Sequence, residues 1–238
     1  MKLENKIVFV TGANRGIGKG LVEALLQHPV KKIYAAARDI AALPDFADTR
    51  VVPVTLDITN PAQIAAAATL AKDVSLLINN AGVLSLAGVL ADDAAGLRYD
   101  MEVNYFGTLA VTHAFVPGLI KQKDAAIANV LSVVSLASMP GIGGYSASKA
   151  ALFSATQAMR AELKAKGVSV HGIFPGPIDT DMAKAFPLFK PSALETAEKI
   201  LLGLIAAAED IFPDPMSAQI GEQWAQNPKA VERQFATM

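Results

Sequence analysis

Short apolar, β-branched runs alternate along this chain with longer Ala/Leu-rich stretches in which polar residues recur at helical spacing. The runs predict strands at 7–10, 32–37, 51–56, 75–79, 127–132 and 168–174, with a weaker seventh near 210–213. Their nearly continuous apolar character suits strands covered on both faces, as in a parallel sheet. The stretches between them predict helices at 16–27, 61–72, 96–121, 145–166 and 192–208, with Thr59 or Asn60 before Pro61 as an N-cap signal. Such regular alternation, with no repeat, low-complexity tract or linker, implies one α/β domain over 1–238. Its expected form is a doubly wound parallel sheet of about seven strands with helices on both faces.

Two regions break the pattern. Residues 181–191 (DMAKAFPLFKP) are amphipathic and proline-flanked, which suits a substrate loop. The extension over 214–238 predicts helical segments near 218–225 and 229–235 and carries the single tryptophan, Trp224.

Composition narrows the chemistry. With 238 residues, 52% hydrophobic and 18% charged, the chain has the profile of a globular protein. No uncharged stretch approaches the ~18 residues of a membrane span, and no apolar signal core opens the sequence, so a cytoplasmic location is expected. The net charge of −1 carries no basic block, which argues against nucleic acid or anionic membrane as partner. The absence of cysteine removes disulfides, thiolate nucleophiles and cysteine-bound zinc, and His28, His113 and His171 have no metal-ligand spacing. A catalyst here must use hydroxyls, amides, carboxylates, amines and a borrowed cofactor.

The first strand runs into Thr11-Gly12-Ala13-Asn14-Arg15-Gly16-Ile17-Gly18, and a helix pattern follows. Glycines at such a turn let backbone approach a pyrophosphate, which the helix N-terminus stabilises with free N–H groups and its dipole. A P-loop would need glycine five residues before Gly18 and Ser or Thr after Lys19, where this chain has Ala13 and Gly20. Arg38 lies where the second strand should end beside an adenosine ribose, and arginine there suits a 2′-phosphate. Arg15 is a second candidate for the same phosphate. Together they favour NADP(H) over NAD, whereas Asp39 at the ribose would reverse that preference. Asp57 after the third strand is a candidate acceptor for the adenine amino group or a helix cap. Asn79-Asn80-Ala81-Gly82 after the fourth strand is a tight polar turn on the same sheet edge.

Tyr145 and Lys149 are i,i+4 neighbours on one helix face. Ser132 ends the preceding strand, and Asn104 sits, as a poor helix former, inside the long predicted helix. Over residues 6–182 the chain resembles the short-chain dehydrogenases/reductases in the order and spacing of several motifs. These are Thr-Gly-x-x-x-Gly-x-Gly at 11–18, Asn-Asn-Ala-Gly at 79–82, Asn104, Ser132, Tyr145-x-x-x-Lys149 and Pro175-Gly176.

The resemblance implies a Rossmann-type fold, an NADPH-dependent reduction of a ketone or aldehyde to an alcohol, reversible, and a homo-oligomer (dimer or tetramer). It implies Tyr145 as acid/base, Lys149 as the ribose-binding amine, Ser132 as the carbonyl-orienting hydroxyl and Asn104 as holder of a relay water. It implies nucleotide contacts at Gly12, Asn14, Arg15, Gly16, Ile17, Gly18, Asn80, Ala81 and Gly82, and nicotinamide contacts in the turn at Pro175, Gly176, Ile178 and Thr180. A free tyrosine has pKa near 10 and burial raises it, so Lys149 and an oxidised nicotinamide are expected to bring the phenol down. A drop of about three units corresponds to roughly 4 kcal/mol. Ser135 and Ser138 are expected to polarise Ser132 or line the cleft. Met139, Met182, Phe186, Leu188 and Phe189 are expected to form an apolar substrate wall, with core or interface packing as their alternative. Around 210–215 the chain departs from the family's usual carboxyl-terminal strand and its tetramer contacts. Two other functions compete: an NAD-linked alcohol dehydrogenase, and a nonenzymatic NADP-sensing protein on the same fold.

Overall fold

A computed structural model describes residues 1–91, 93–184, 187 and 189–238. Seven strands form one sheet in the order β3-β2-β1-β4-β5-β6-β7, every neighbouring pair parallel. They are β1 (Ile7–Thr11), β2 (Lys32–Ala37), β3 (Val51–Thr55), β4 (Leu76–Asn79), β5 (Ala125–Val130), β6 (Val168–Ile173) and β7 (Asp210–Ile211). The helices are α1 (Gly16–Leu26), α2 (Pro61–Leu70), α3 (Ala95–Met101), α4 (Thr108–Leu119), α5 (Gly143–Lys164), α6 (Ala193–Ile205), α7 (Pro215–Gln226) and α8 (Pro228–Phe235).

β1 explains why the sheet is covered twice. Val8 and Val10 join the core beneath α1 and α6, with Leu21, Leu25, Ile200 and Leu204. Ile7 and Phe9 point the other way, into the core beneath α2, α4 and α5, with Ile64, Val111, Phe115 and Leu163. Period-two alternation thus feeds two apolar layers, and the whole strand reads as hydrophobic.

Helix starts follow local chemistry. Asn60 accepts from the N–H groups of Ala62 and Gln63, with Pro61 at the first helical position of α2. Ser192 and Glu195 form a capping box on α6. Asp214 and Asn227 cap α7 and α8 ahead of Pro215 and Pro228.

Two expectations change, and the amphipathic 181–191 segment takes a form that its pattern left open. The predicted helix over 96–121 is broken: α3 and α4 are joined by a π-helical turn over Glu102–Gly107. Asn104 causes the break locally, because its amide leaves the helix to bond the Val83 backbone and the Ser148 hydroxyl. β5 ends at Val130, so Ser132 lies beyond the strand and caps a 3₁₀ turn at Val133–Ser135. The amphipathic 181–191 segment is no helix over its described residues. It contains a 3₁₀ turn at Asp181–Ala183 and is closed by a bridge between Asp179 and Ser192. Phe186 and Leu188 lie outside the described residues.

Strand order reverses between β1 and β4, and that reversal opens a crevice beyond the carboxyl ends of the strands. The α7–α8 extension lies beside it, with Trp224 edge-on to Phe153 of α5 at 6.3 Å and Phe235 fully buried.

Candidate functional site

One cleft of about 570 Å³ runs across the carboxyl ends of the strands. Its lining includes Gly12, Asn14, Arg15, Gly16, Ile17, Arg38, Asp57, Asn80, Ala81 and Gly82 from the expected nucleotide set. It also includes Ser132, Tyr145, Lys149, Pro175, Gly176, Ile178 and Thr180. Gly18 and Asn104 do not line it; each acts one layer behind.

Gly18 is needed for closeness. A Cβ there would stand 2.0 Å from the Gly12 carbonyl oxygen and 2.5 Å from Asn80 Nδ2. Gly16 has φ +53, in the left-handed region that favours glycine. The turn is held from β4, where Asn80 Nδ2 donates to the carbonyls of Thr11 and Gly12 at 2.9 and 3.1 Å. The Thr11 hydroxyl accepts the N–H groups of Asn80 and Ala81, both at 2.9 Å. Arg15 occupies the N-cap of α1 without a side-chain cap bond, so no side chain of the cap residue closes that helix end. Its guanidinium pairs with Asp181 at 3.2 Å, with both side chains largely exposed.

β2 ends at Ala37, which makes Arg38 the first residue beyond the strand. The Asp39 carboxylate is turned into its own loop, accepting the Ala41 N–H at 2.9 Å. Asp57 accepts from the Thr59 N–H at 2.9 Å and the Thr59 hydroxyl at 2.7 Å. Those bonds hold its carboxyl below the usual carboxylate range, with help from the Arg38 charge. The cap of α2 is Asn60, so Asp57 is free of that duty.

At the other end Ser132, Tyr145 and Lys149 meet. The Ser132 backbone N–H donates to Ser135 Oγ at 3.1 Å, the Val134 N–H approaches Ser132 Oγ at 3.4 Å, and the Ser132 hydroxyl lies 3.5 Å from the Pro175 carbonyl and within hydrogen-bonding reach of the Tyr145 hydroxyl. Ser135 therefore holds the Ser132 main chain, and neither Ser135 nor Ser138 lines the cleft. Lys149 is 4% exposed, donates to the Val130 carbonyl at 2.8 Å, and lies 5.8 Å from the centroid of the Tyr145 ring.

Electrostatics differ from the expectation of an acidified phenol. Burial pushes the Tyr145 hydroxyl up to about 12; the Ser132 hydrogen bond opposes that rise and the Asp100 carboxyl adds to it. Burial brings the Lys149 ammonium down to about 8, and Asp100 pulls the other way. Desolvation thus outweighs the protein's own charges at both groups. Asp100 has 0% exposure; its Oδ1 accepts the Ser85 N–H at 2.9 Å and its Oδ2 has no hydrogen-bond partner among the described residues.

Sequence reasoning missed several contributors. Asp214 Oδ2 accepts the Gly176 N–H at 2.8 Å, bracing the turn after β6 from the start of α7. Ser148 accepts from Asn104 at 2.9 Å and donates to the Tyr145 carbonyl at 2.7 Å, tying the π-helical turn to α5. The apolar wall contains Met139 and Met182 as expected, together with Leu84, Met216, Phe235 and Met238. Phe189 is not part of it, since it is 91% exposed and points to solvent. The Val231/Phe235 pair on an otherwise polar α8 signalled a docking face, but helical spacing alone does not say where it docks.

The chain belongs to the short-chain dehydrogenase family, whose model matches residues 6–189. It is an NAD(P)-dependent oxidoreductase of that family. It is 34% identical over 191 residues to the 3-oxoacyl-(acyl-carrier-protein) reductase FabG of Vibrio cholerae, covering 78% of each chain. It is 31% identical over 215 residues to the oxidoreductase UcpA of Escherichia coli K12, covering 87% of this chain and 81% of that protein. A short chain dehydrogenase from Burkholderia cenocepacia, solved in complex with NADP, superposes with a TM-score of 0.93 at 42% identity, over 99% of both chains. One from Burkholderia phymatum in complex with NAD superposes at 0.85 with 25% identity, over 97% of this chain and 96% of that one. No helix among the described residues is long and apolar enough to cross a membrane.

Proposed function

We propose that this protein reduces a ketone or aldehyde to an alcohol using NADPH, with Tyr145 as the proton donor. The observation that carries the reading is that Tyr145, Ser132, Lys149, the glycine turn and Arg38 line one continuous cleft.

The residues fit a dinucleotide. Gly12 and Gly16 line a tight turn that the absence of a Cβ at Gly18 lets close, and it opens on an α1 N-terminus without a side-chain cap. The Asn14–Ile17 backbone would hold the pyrophosphate, Arg38 the 2′-phosphate, Asp57 the adenine amino group, Lys149 the ribose, and Ile178 and Thr180 the carboxamide. Arg38 leaves the strand end at the cleft while Asp39 caps its own loop, which favours NADP over NAD. The NADP in the 42%-identical Burkholderia cenocepacia structure supports the same choice. When bound, NADPH supplies a hydride to the carbonyl carbon and leaves as NADP⁺.

The chain's own part is proton and charge management. Tyr145, held fully protonated at neutral pH, donates its phenolic proton to the oxygen of the reduced carbonyl. The Ser132 hydroxyl gives a second hydrogen bond to that oxygen, an oxyanion-type contribution. The Asn104 amide is spent on Val83 and Ser148, so a relay water at Asn104 would rest on its main chain. The proton-donor apparatus argues against a pure NADP sensor. Residues 181–191 serve in this reading as a substrate loop, supported by Met182 and Ala183 in the cleft wall. A homo-oligomer is supported by apolar Phe106 and Ile120, left 53% and 41% exposed at the two ends of α4.

The test is NADPH oxidation over a panel of ketones, aldehydes and quinones, with Tyr145→Phe in parallel. Turnover by the wild type and its loss in the variant, with NADPH binding intact, is expected; equal turnover by the two removes the mechanism.

A further inference from the structure

Four of the chain's seven methionines converge on the wall of the cleft: Met139, Met182, Met216 and Met238. They come from four separate segments: the loop before α5, the 3₁₀ turn after β6, α7, and the residues after α8. Leu84 completes this wall, with the fully buried Phe235 packed behind it. The ring of Tyr145 packs in the same apolar cluster as Met139, Met216 and Leu84.

Among the described residues the cleft's charged side chains are paired or lie toward the strand ends, with Asp181, just before Met182, the one nearest the wall. Arg15 is paired with Asp181 beside the glycine turn, and Arg38, Asp39 and Asp57 lie beyond the ends of β2 and β3. Lys149 donates to the Val130 carbonyl. A carbonyl oxygen between Tyr145 and Ser132 would leave its substituent among thioethers. Thioethers are unbranched, polarizable and adaptable, and they make favourable contacts with aromatic ring edges. An anionic substituent there would meet no cationic side chain from the described residues of this wall, the Arg15 guanidinium nearby being paired with Asp181, and its desolvation is disfavoured.

Resting on the carbonyl-reductase reading, we propose that the substrate is a neutral ketone bearing an aromatic substituent, gripped by the methionine wall, and that carboxylate-bearing ketones are excluded.

The experiment uses a matched pair, methyl 4-acetylbenzoate and its free acid, which carry the ester or carboxylate on the aromatic substituent itself, with methyl 6-oxoheptanoate as an alkyl control. For the wild type, kcat/KM for the aromatic ester should exceed that for the acid by about a hundredfold, or about 2.8 kcal/mol at 1.4 kcal/mol per decade. It should exceed that for the alkyl ester by about tenfold. Met182→Lys, at a side chain 38% exposed, should lower turnover of the ester and raise that of the acid; Met216→Lys repeats the test on α7. Equal rates for ester and acid, or preference for the alkyl ester, overturns the substrate class and leaves carbonyl reduction standing. If no carbonyl compound oxidises NADPH, the reductase reading fails, and calorimetric titration of the three corresponding alcohols in the presence of NADP tests the wall separately. The aromatic ester alcohol binding about a hundredfold tighter than its acid upholds the proposal. Equal binding, or none, overturns it.

Discussion

The Lys149 ammonium, 4% exposed, donates to the Val130 carbonyl at 2.8 Å, so a buried cation rests on a neutral acceptor. Burial brings its pKa from 10.5 to about 8. Between those values the unfolded chain binds more protons than the folded one, so Lys149 makes folding more favourable as pH rises through that window. Below about pH 8 the ammonium is present in both states and its full desolvation cost remains. Tyr145, raised from 10 to about 12, acts in the opposite direction above pH 10, which leaves pH 8 to 10 as the clean interval. Urea unfolding of wild type and Lys149→Met should therefore show the difference moving in favour of wild type by on the order of 2 kcal/mol from pH 8 to 10. A difference independent of pH would mean that Lys149 is not carried as a desolvated cation.

Arg38 follows the last residue of β2 and lines the cleft, as does Asp39, whose Oδ1 is occupied by the Ala41 N–H. Charge-assisted hydrogen bonds contribute about 1.5–3 kcal/mol each. Arg38→Ala should lower kcat/KM for NADPH by roughly tenfold to a hundredfold and leave NADH nearly unchanged. Equal losses on the two cofactors would show that the ribose end had been assigned to the wrong residue.

Gly18 and Gly118 make a matched contrast. A methyl at Gly18 would meet the Gly12 carbonyl oxygen at 2.0 Å, whereas one at Gly118, inside α4, meets only the Lys72 carbonyl at 3.4 Å. Gly18→Ala should destabilise by about 1–3 kcal/mol through overpacking and open the turn enough to weaken NADPH binding. Gly118→Ala should be neutral or stabilise by up to about 1 kcal/mol, the helix-propensity gain. Thermal unfolding and NADPH titration of both variants check this, and an unaffected Gly18→Ala would refute the tight-cradle account.

The sheet was legible because β1, β2, β4, β5 and β6 are buried on both faces, and continuous apolar runs mark such strands; β3, at the sheet edge, is buried only at Val54 but keeps its valine-rich run. β7 is two residues long and gave only a weak signal. The break at Asn104 was foreshadowed by its poor helix propensity, but its partners, Val83 and Ser148, are distant in sequence and no local pattern names them. The same limit hid Asp214 beneath Gly176 and the contribution of α7 and α8 to the cleft wall. The misassigned Phe189 shows that an apolar residue in a loop carries no periodicity from which to tell an inward side chain from an outward one. Asp100 gave no signal either, since an acidic residue in a short amphipathic helix ordinarily faces water.

Asp100 yields the last prediction. Burial is the main cause that raises its carboxyl above the ordinary value, opposed by the Ser85 N–H and hydroxyl and by the Lys149 charge. A raised carboxyl supports folding fully below the unfolded pKa of 3.8, and that support is lost as pH rises through the folded value. Asp100→Asn removes the titration and keeps an acceptor for the Ser85 N–H. Its stability relative to wild type should therefore improve from pH 4 toward neutrality, as followed by urea midpoints at several pH values. Asp100 also supports the charged form of Lys149, so the alkaline limb of kcat/KM should shift to lower pH in the variant. A purely structural role would change stability and leave that limb where it is. An unmoved limb together with a pH-independent stability difference would mean that the Asp100 carboxyl titrates alike in the folded and unfolded chains and takes no part in the electrostatics of the site.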